Sequence, residues 1–154
     1  MLVRNPQALR PLLYKGQRLL GLDVGSKTLG MAISDTRLIV ASPHSTLKRG
    51  KFSELAAHVS GFATSEAIGG IILGLPINMD GSEGPRCQSV RQLQVNLEAV
   101  LNLPMAFWDE RLSTAAVTRT MIEADLSRKR QKEVVDKMAA AYILQGALDA
   151  INAN

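Results

Sequence analysis

A chain of 154 residues and 16.6 kDa has the length of one domain, which excludes any enzyme built from two large lobes. With 46% apolar and 21% charged residues it is neither a disordered chain nor a membrane protein, and 4% aromatics leave little for binding nucleic acid through rows of stacked bases. The 18 Lys and Arg against 14 Asp and Glu give a net charge of +4, which admits an acidic partner such as nucleic acid.

The first 22 residues hold Arg4, Arg10, Lys15 and Arg18 and no acid. Pro6, Pro11 and Gly16 interrupt any helical period there, so residues 1–17 are expected to form a loose basic arm ahead of a domain spanning 18–154. Arg18 to Val24 reads as a strand, with Leu20, Leu22 and Val24 on one face and Asp23 on the other. A tight turn at Gly25-Ser26 leads to a second strand, Leu29 to Ser34, and Leu38 to Ser42 reads as a third. Phe52, Leu55, Ala56, Val59, Phe62 and Ala63 recur at helical spacing. The apolar run from Ile68 to Leu75 suggests a central strand buried on both faces. Val90, Leu93, Leu97, Val100 and Leu101 mark another helix, and Pro104 to Trp108 a short strand. Ser113 or Thr114 opens a further helix, and the last helix runs from about Ser127 to Ala150. Short turns make the opening strands antiparallel, and intervening helices make the later ones parallel. The fold class is therefore α/β, a mixed five-stranded sheet flanked by helices. No apolar stretch approaches the roughly 20 residues of a membrane span. A single cysteine, Cys87, makes no internal disulfide and suits a reducing compartment.

Four segments are candidates for chemistry. In Gly21-Leu-Asp-Val-Gly-Ser-Lys-Thr-Leu-Gly30, Asp23 stands on the less apolar face, Gly25 lets the backbone approach a phosphate or metal, and Lys27 adds positive potential. A turn acid between two strands explains the same residues. Gly74-Leu-Pro-Ile-Asn-Met-Asp-Gly-Ser-Glu83 follows the buried strand at the end where parallel sheets bind ligands, and Arg86 and Arg91 on the next helix add cations. A surface turn followed by a solvated helix face is the alternative. In Trp108-Asp-Glu-Arg-Leu-Ser-Thr114, Asp109 and Glu110 point to opposite sides if the strand continues, so one reaches a metal while the other meets Arg111; a charged strand end with an internal salt bridge competes. Asp136 lies on a helical face shared with Ala140 and Ile143, where an acid is costly unless paired or metal-bound. A half-exposed acid near Lys132 or Lys137 is the alternative there. The basic run Arg128 to Lys132 is a solvated face or a polyanion contact.

Taken together the four segments resemble the YqgF/RuvX family of pre-16S rRNA nucleases, which are related to RuvC-type Holliday junction resolvases. The matching stretches are Leu22-Asp-Val-Gly-Ser-Lys-Thr-Leu-Gly30, Gly74 to Glu83, Asp109-Glu-Arg-Leu-Ser-Thr114 and Val135-Asp-Lys-Met-Ala139, in family order over about residues 18 to 150. The resemblance implies an RNase H-like fold and a cytoplasmic nuclease that uses Mg²⁺ or Mn²⁺. It implies metal ligands at Asp23 and Asp136, with Asp109 or Glu110 as a third carboxylate; Asp109 is the first choice for that ligand. Two divalent ions ~4 Å apart activate a water and stabilise the leaving oxygen of a phosphodiester, which requires several carboxylates to converge. Gly25, Lys27, Arg86 and Arg111 are expected to approach or grip the substrate backbone, with structured RNA favoured over a DNA junction. In one respect the chain departs from the resolvase pattern: the end of the fourth strand, Gly74-Leu-Pro76, carries no acid.

Two other readings compete. A nucleic-acid-binding module without hydrolysis, acting in transcription or ribosome assembly, would rest on the basic segments. An actin-like or sugar-kinase-like ATP enzyme shares the Asp-Val-Gly-Ser-Lys-Thr turn but closes two lobes around its nucleotide, and this chain has one.

Overall fold

A computed structural model describes the backbone of residues 1–112 and 128–153, and the side chains of 1–112 and 135–153. The element order is β1 (Arg18–Val24), β2 (Thr28–Ser34), β3 (Ala41–Lys48), α1 (Phe52–Ser65), β4 (Ile68–Leu75), α2 (Pro85–Val100), β5 (Met105–Asp109) and α3 (Arg128–Asn152). The expected helix after Ser113 lies outside the described residues, as do the side chains of Arg128 to Lys132.

The sheet order is β3-β2-β1-β4-β5, with β1–β2 and β2–β3 antiparallel and β1–β4 and β4–β5 parallel. This is the mixed sheet expected from the connection lengths. All eight residues of β4 are buried, because helices cover both sides of the central strands. On one face, Leu20, Leu22, Ile71 and Leu73 pack with Leu55 and Val59 of α1 and with Cys87, Val90, Leu93 and Leu97 of α2. On the other, Leu19, Ile72, Ala106 and Trp108 pack with Ala140, Ile143, Leu144, Ala147 and Leu148 of α3.

Alternation along β1 puts Asp23 on the α3 face with Leu19 and opposite Leu22 and Val24. α3 comes so near the sheet that a Cβ at Gly30 would stand 2.1 Å from the Asp136 carbonyl oxygen and 3.2 Å from its Cα. A side chain at position 30 would push the helix off, and only glycine allows Asp136 to rest on β2.

Two expectations are corrected. The third strand is Ala41–Lys48, not Leu38–Ser42. Leu38 has φ +59° inside a turn, and the Asp35 carboxylate takes the N–H groups of Ile39 and Val40 at 2.7 and 3.0 Å, so those amides are withheld from a ladder. Residues 1–17 are not loose. Asn5 caps a 3-10 helix at Pro6–Leu12, Leu9 is fully buried beneath α3, and Leu2 bridges to Met105 at the free edge of β5. This cover protects an otherwise open sheet edge.

Candidate active site

β1 and β2 end together at a turn, Gly25 to Lys27, whose Gly25 N–H donates to the Thr28 carbonyl at 2.9 Å. The turn places Thr28 beneath α3, where its hydroxyl donates to the Asp136 carboxylate. Asp23 pairs with Gly30 across β1–β2. Asp136 and Asp23 are therefore both neighbours of one residue, Gly30, on one face of the sheet. Asp23 is 2% exposed and Glu110 7%, which singles them out among the described carboxylates.

Glu110 follows β5 in a short 3-10 turn and points back under α3. Its Oε2 lies 3.1 Å from where a Cβ of Gly74 would stand, in the space left by the missing side chain at the end of β4. The β1–β4 register, which pairs Leu22 with Leu73, sets Gly74 beside Asp23 one residue further on. Three carboxylates thus belong to one face. As they stand, no group of three His, Cys, Asp or Glu side chains among the described residues is close enough to cage a metal ion.

Asp109 goes elsewhere. It pairs with Leu75, whose side chain lies on the α1–α2 face, and alternation from Trp108 puts Asp109 on that face too. Its carboxylate accepts from Arg111 Nε and Nη2 at 3.1 and 2.8 Å. The Arg111 hydrogen bonds hold the Asp109 carboxyl below its ordinary value, and the same pairing raises the Arg111 guanidinium. Arg111 also reaches the Asn78 carbonyl at 3.5 Å, so it ties the end of β5 to the loop after β4. Asp109, expected as a metal ligand, and Arg111, expected as a substrate contact, are thus paired with each other on the sheet face opposite that of Asp23. Within that loop Asp80 accepts from Ser82 and Asn78 donates to Ser82, while Glu83 is bound by Arg91 at 2.6 and 2.8 Å.

An open cleft of about 430 Å³ lies between the β1–β2 turn, the start of α2 and α3, lined by Gly25, Ser26, Thr28, Arg86, Ser89 and Asp136. The structure thus brings Gly25, Arg86 and Asp136 together. Lys27 instead lines an adjoining cleft of about 490 Å³ with Ser26, Arg49, Phe52, Leu93 and Asn96. Arg49, which the sequence reading passed over, stands between the two clefts. Its Nη1 donates to the Gly25 carbonyl at 2.8 Å and to Ser89 Oγ at 3.2 Å. The available signal was the basic cluster Lys48-Arg-Gly-Lys51 just after a strand.

Cys87 is fully buried on α2 and packs in the core, and desolvation pushes its thiol above the ordinary value. No described helix is long and apolar enough to cross a membrane.

The family model described as RuvX, Holliday junction resolvase, matches residues 17–150. A protein of Paramagnetospirillum magneticum named "Putative pre-16S rRNA nuclease" is 56% identical over 97% of this chain and 96% of its own length. One of the same name from Roseobacter denitrificans is 58% identical over 86% of this chain and 83% of its own. Among solved structures, Thermus thermophilus RuvC in complex with a Holliday junction substrate overlays with a TM-score of 0.52 at 13% identity, covering 87% of this chain and 94% of that one. That likeness speaks of the fold, which is RNase H-like. With the family model spanning nearly all of the domain, this chain belongs to the RuvX family.

Proposed function

We propose that this chain is a divalent-metal-dependent endonuclease that hydrolyses phosphodiester bonds in nucleic acid, with precursor 16S rRNA as its substrate in the cytoplasm. The observation that carries the reading is the meeting of Asp23 and Asp136 at Gly30, beside an open cleft with a cation at Arg86. The names of the relatives support the choice of RNA.

The donor set suits a hard cation. Carboxylate oxygens are its preferred ligands, and Mg²⁺ in particular is bound through one or two carboxylates, water and substrate phosphates and not by a closed protein cage. Asp23 and Asp136 would hold it, with Glu110 as the third carboxylate in place of Asp109. Glu110 occupies the space at the end of β4 that the Gly74-Leu-Pro76 sequence leaves without an acid. When bound, the metal supplies an activated water and neutralises charge on the leaving oxygen.

The protein's own groups do the rest. Thr28 holds one oxygen of Asp136, and the other would serve as the ligand. Gly25 removes the side chain that would block the backbone of a substrate from the β1–β2 turn. Arg86 and the N-terminus of α2, both at the cleft wall, offset the negative charge of the scissile phosphate.

The test is Mg²⁺- or Mn²⁺-dependent cleavage of a precursor 16S RNA and of a four-way DNA junction side by side. Cleavage of the RNA alone supports the proposal. Cleavage of the junction alone favours the resolvase reading, which the description of the family and the likeness to RuvC support. Cleavage of neither, with salt-sensitive binding retained in Asp23→Asn, supports a binding module without hydrolysis.

A further inference from the structure

Among the described residues three arginines are paired, and several other cations are not. Arg18, Arg91 and Arg111 are each paired with a carboxylate, Glu66, Glu83 and Asp109 respectively. Lys27, Arg49 and Arg86 make no ion pair within the described residues. These three line two adjoining clefts. Arg86 is in the cleft with Asp136, Lys27 is in the other, and Arg49 stands at the wall between them. Ser26 belongs to both linings, so the clefts meet at the tip of the β1–β2 turn.

The second cleft differs from the first in its chemistry. It holds no carboxylate, and Phe52 and Leu93 give it an apolar floor beside Lys27, Arg49 and Asn96. Its volume of about 490 Å³ falls in the range of small-molecule pockets, roughly 300–1,000 Å³. Cations at the rim, an apolar floor and a side-chain amide match the parts of a nucleotide: phosphate, base or sugar face, and base edge. The Asn96 Oδ1 already accepts from Gln92 at 2.9 Å, which turns its amide NH₂ toward other acceptors.

Arg49 is built into the backbone. β2–β3 pairing carries it there, since its N–H donates to the Lys27 carbonyl at 2.9 Å. Its Nη1 is engaged with a neutral carbonyl and a hydroxyl, not with a carboxylate. A cation held rigidly by neutral partners is preorganised for an anion.

We propose that the Lys27–Arg49–Asn96 cleft is a flanking subsite, which binds a nucleotide and its phosphate adjacent to the bond placed at Asp136. This rests on the reading of the chain as a nuclease, and it assigns Lys27 to the flank and not to the scissile phosphate. Arg49 is the wall residue over which the strand passes from one cleft to the other.

The test is a binding measurement on the full chain in EDTA, so that cleavage plays no part. Fluorescence anisotropy is followed with labelled RNA oligonucleotides of about 4 and about 16 nucleotides across a salt series. Each phosphate contact on a single strand contributes about 0.7 to the slope of log K against log salt. Lys27→Ala should lower the magnitude of the slope for the long RNA by about 0.7, and Lys27→Ala with Arg49→Gln by about 1.4. The affinity gained by lengthening the RNA should largely vanish in the double variant. If Arg49→Gln perturbs folding by circular dichroism, Lys27→Ala and Lys27→Glu decide alone, since Lys27 is exposed. A slope and length gain equal to those of the unmodified chain overturn the subsite, as does failure of the unmodified chain to bind either RNA. Absence of metal-dependent cleavage would instead count against the nuclease reading and leaves this result standing.

Discussion

Gly30→Ala puts a methyl group where the chain has room for a hydrogen. The added Cβ would lie 2.1 Å from the Asp136 carbonyl oxygen and 2.5 Å from its carbonyl carbon. Both are backbone atoms of a 25-residue helix, so no side chain can rotate away. The helix must retreat from β2 by about 1 Å merely to bring the closest contact to 3.0 Å. Overpacking of this kind costs about 1–3 kcal/mol, and at about 2–4 °C per kcal/mol for a domain of this size the midpoint of thermal unfolding should fall by about 2–12 °C. The same shift moves Asp136 relative to Asp23, and a misplacement of about 1 Å costs on the order of 100-fold in rate. Gly61→Ala in α1 is the matched control, because nothing lies within 4 Å of the added Cβ. Alanine is favoured over glycine in a helix by up to about 1 kcal/mol, so that variant should be slightly more stable. Thermal unfolding followed by circular dichroism and metal-dependent cleavage are measured on both. A Gly30→Ala protein that melts and cleaves as the unmodified chain does would refute the placement of Asp136 against β2.

Thr28→Val removes the donor that orients Asp136, and metal-dependent cleavage should fall about 10–100-fold, with Thr28→Ser restoring most of it; equal losses in both variants would argue for a packing effect instead. Asp109 has its carboxyl depressed below its ordinary value near 3.8 by Arg111, so its contribution to stability is present above that pH and is lost as pH falls through the lowered value. Asp109→Asn should therefore be less stable by no more than about 1 kcal/mol at neutral pH, given partial exposure, and the deficit should disappear in acid; chemical denaturation across pH checks it. Cys87 should resist a thiol reagent at neutral pH in the native protein and react on unfolding, and rapid native-state labelling would contradict its packing between α2 and the sheet.

The strands β1 and β4 are legible in the sequence because burial imposes a pattern on them, with Leu20, Leu22 and Val24 alternating and Ile68–Leu75 apolar throughout. β3 is not, because an edge strand with none of its residues buried needs no apolar residues; Ala41–Lys48 reads as a polar loop. The packing of Leu9 is hidden in the same way, since a 3-10 helix broken by Pro11 has no period to detect. Asp136 stands out because an acid on an apolar helical face calls for a reason. Arg49 does not, since its place depends on β2–β3 pairing that the sequence does not announce. The two neighbouring acids part because β5 stops at Asp109: the turn that follows carries Glu110 to the other face, against Gly74.

The central claim is that Asp23 and Asp136 act together on a phosphodiester bond. It is tested most directly by Mn²⁺-dependent cleavage of precursor 16S RNA by the unmodified chain, Asp23→Asn, Asp136→Asn and the double variant. Removal of either carboxylate should lower the rate by at least about 1,000-fold, with the double variant no worse than the singles, as for groups that act as one unit. Cleavage by either single variant at the rate of the unmodified chain would contradict the site.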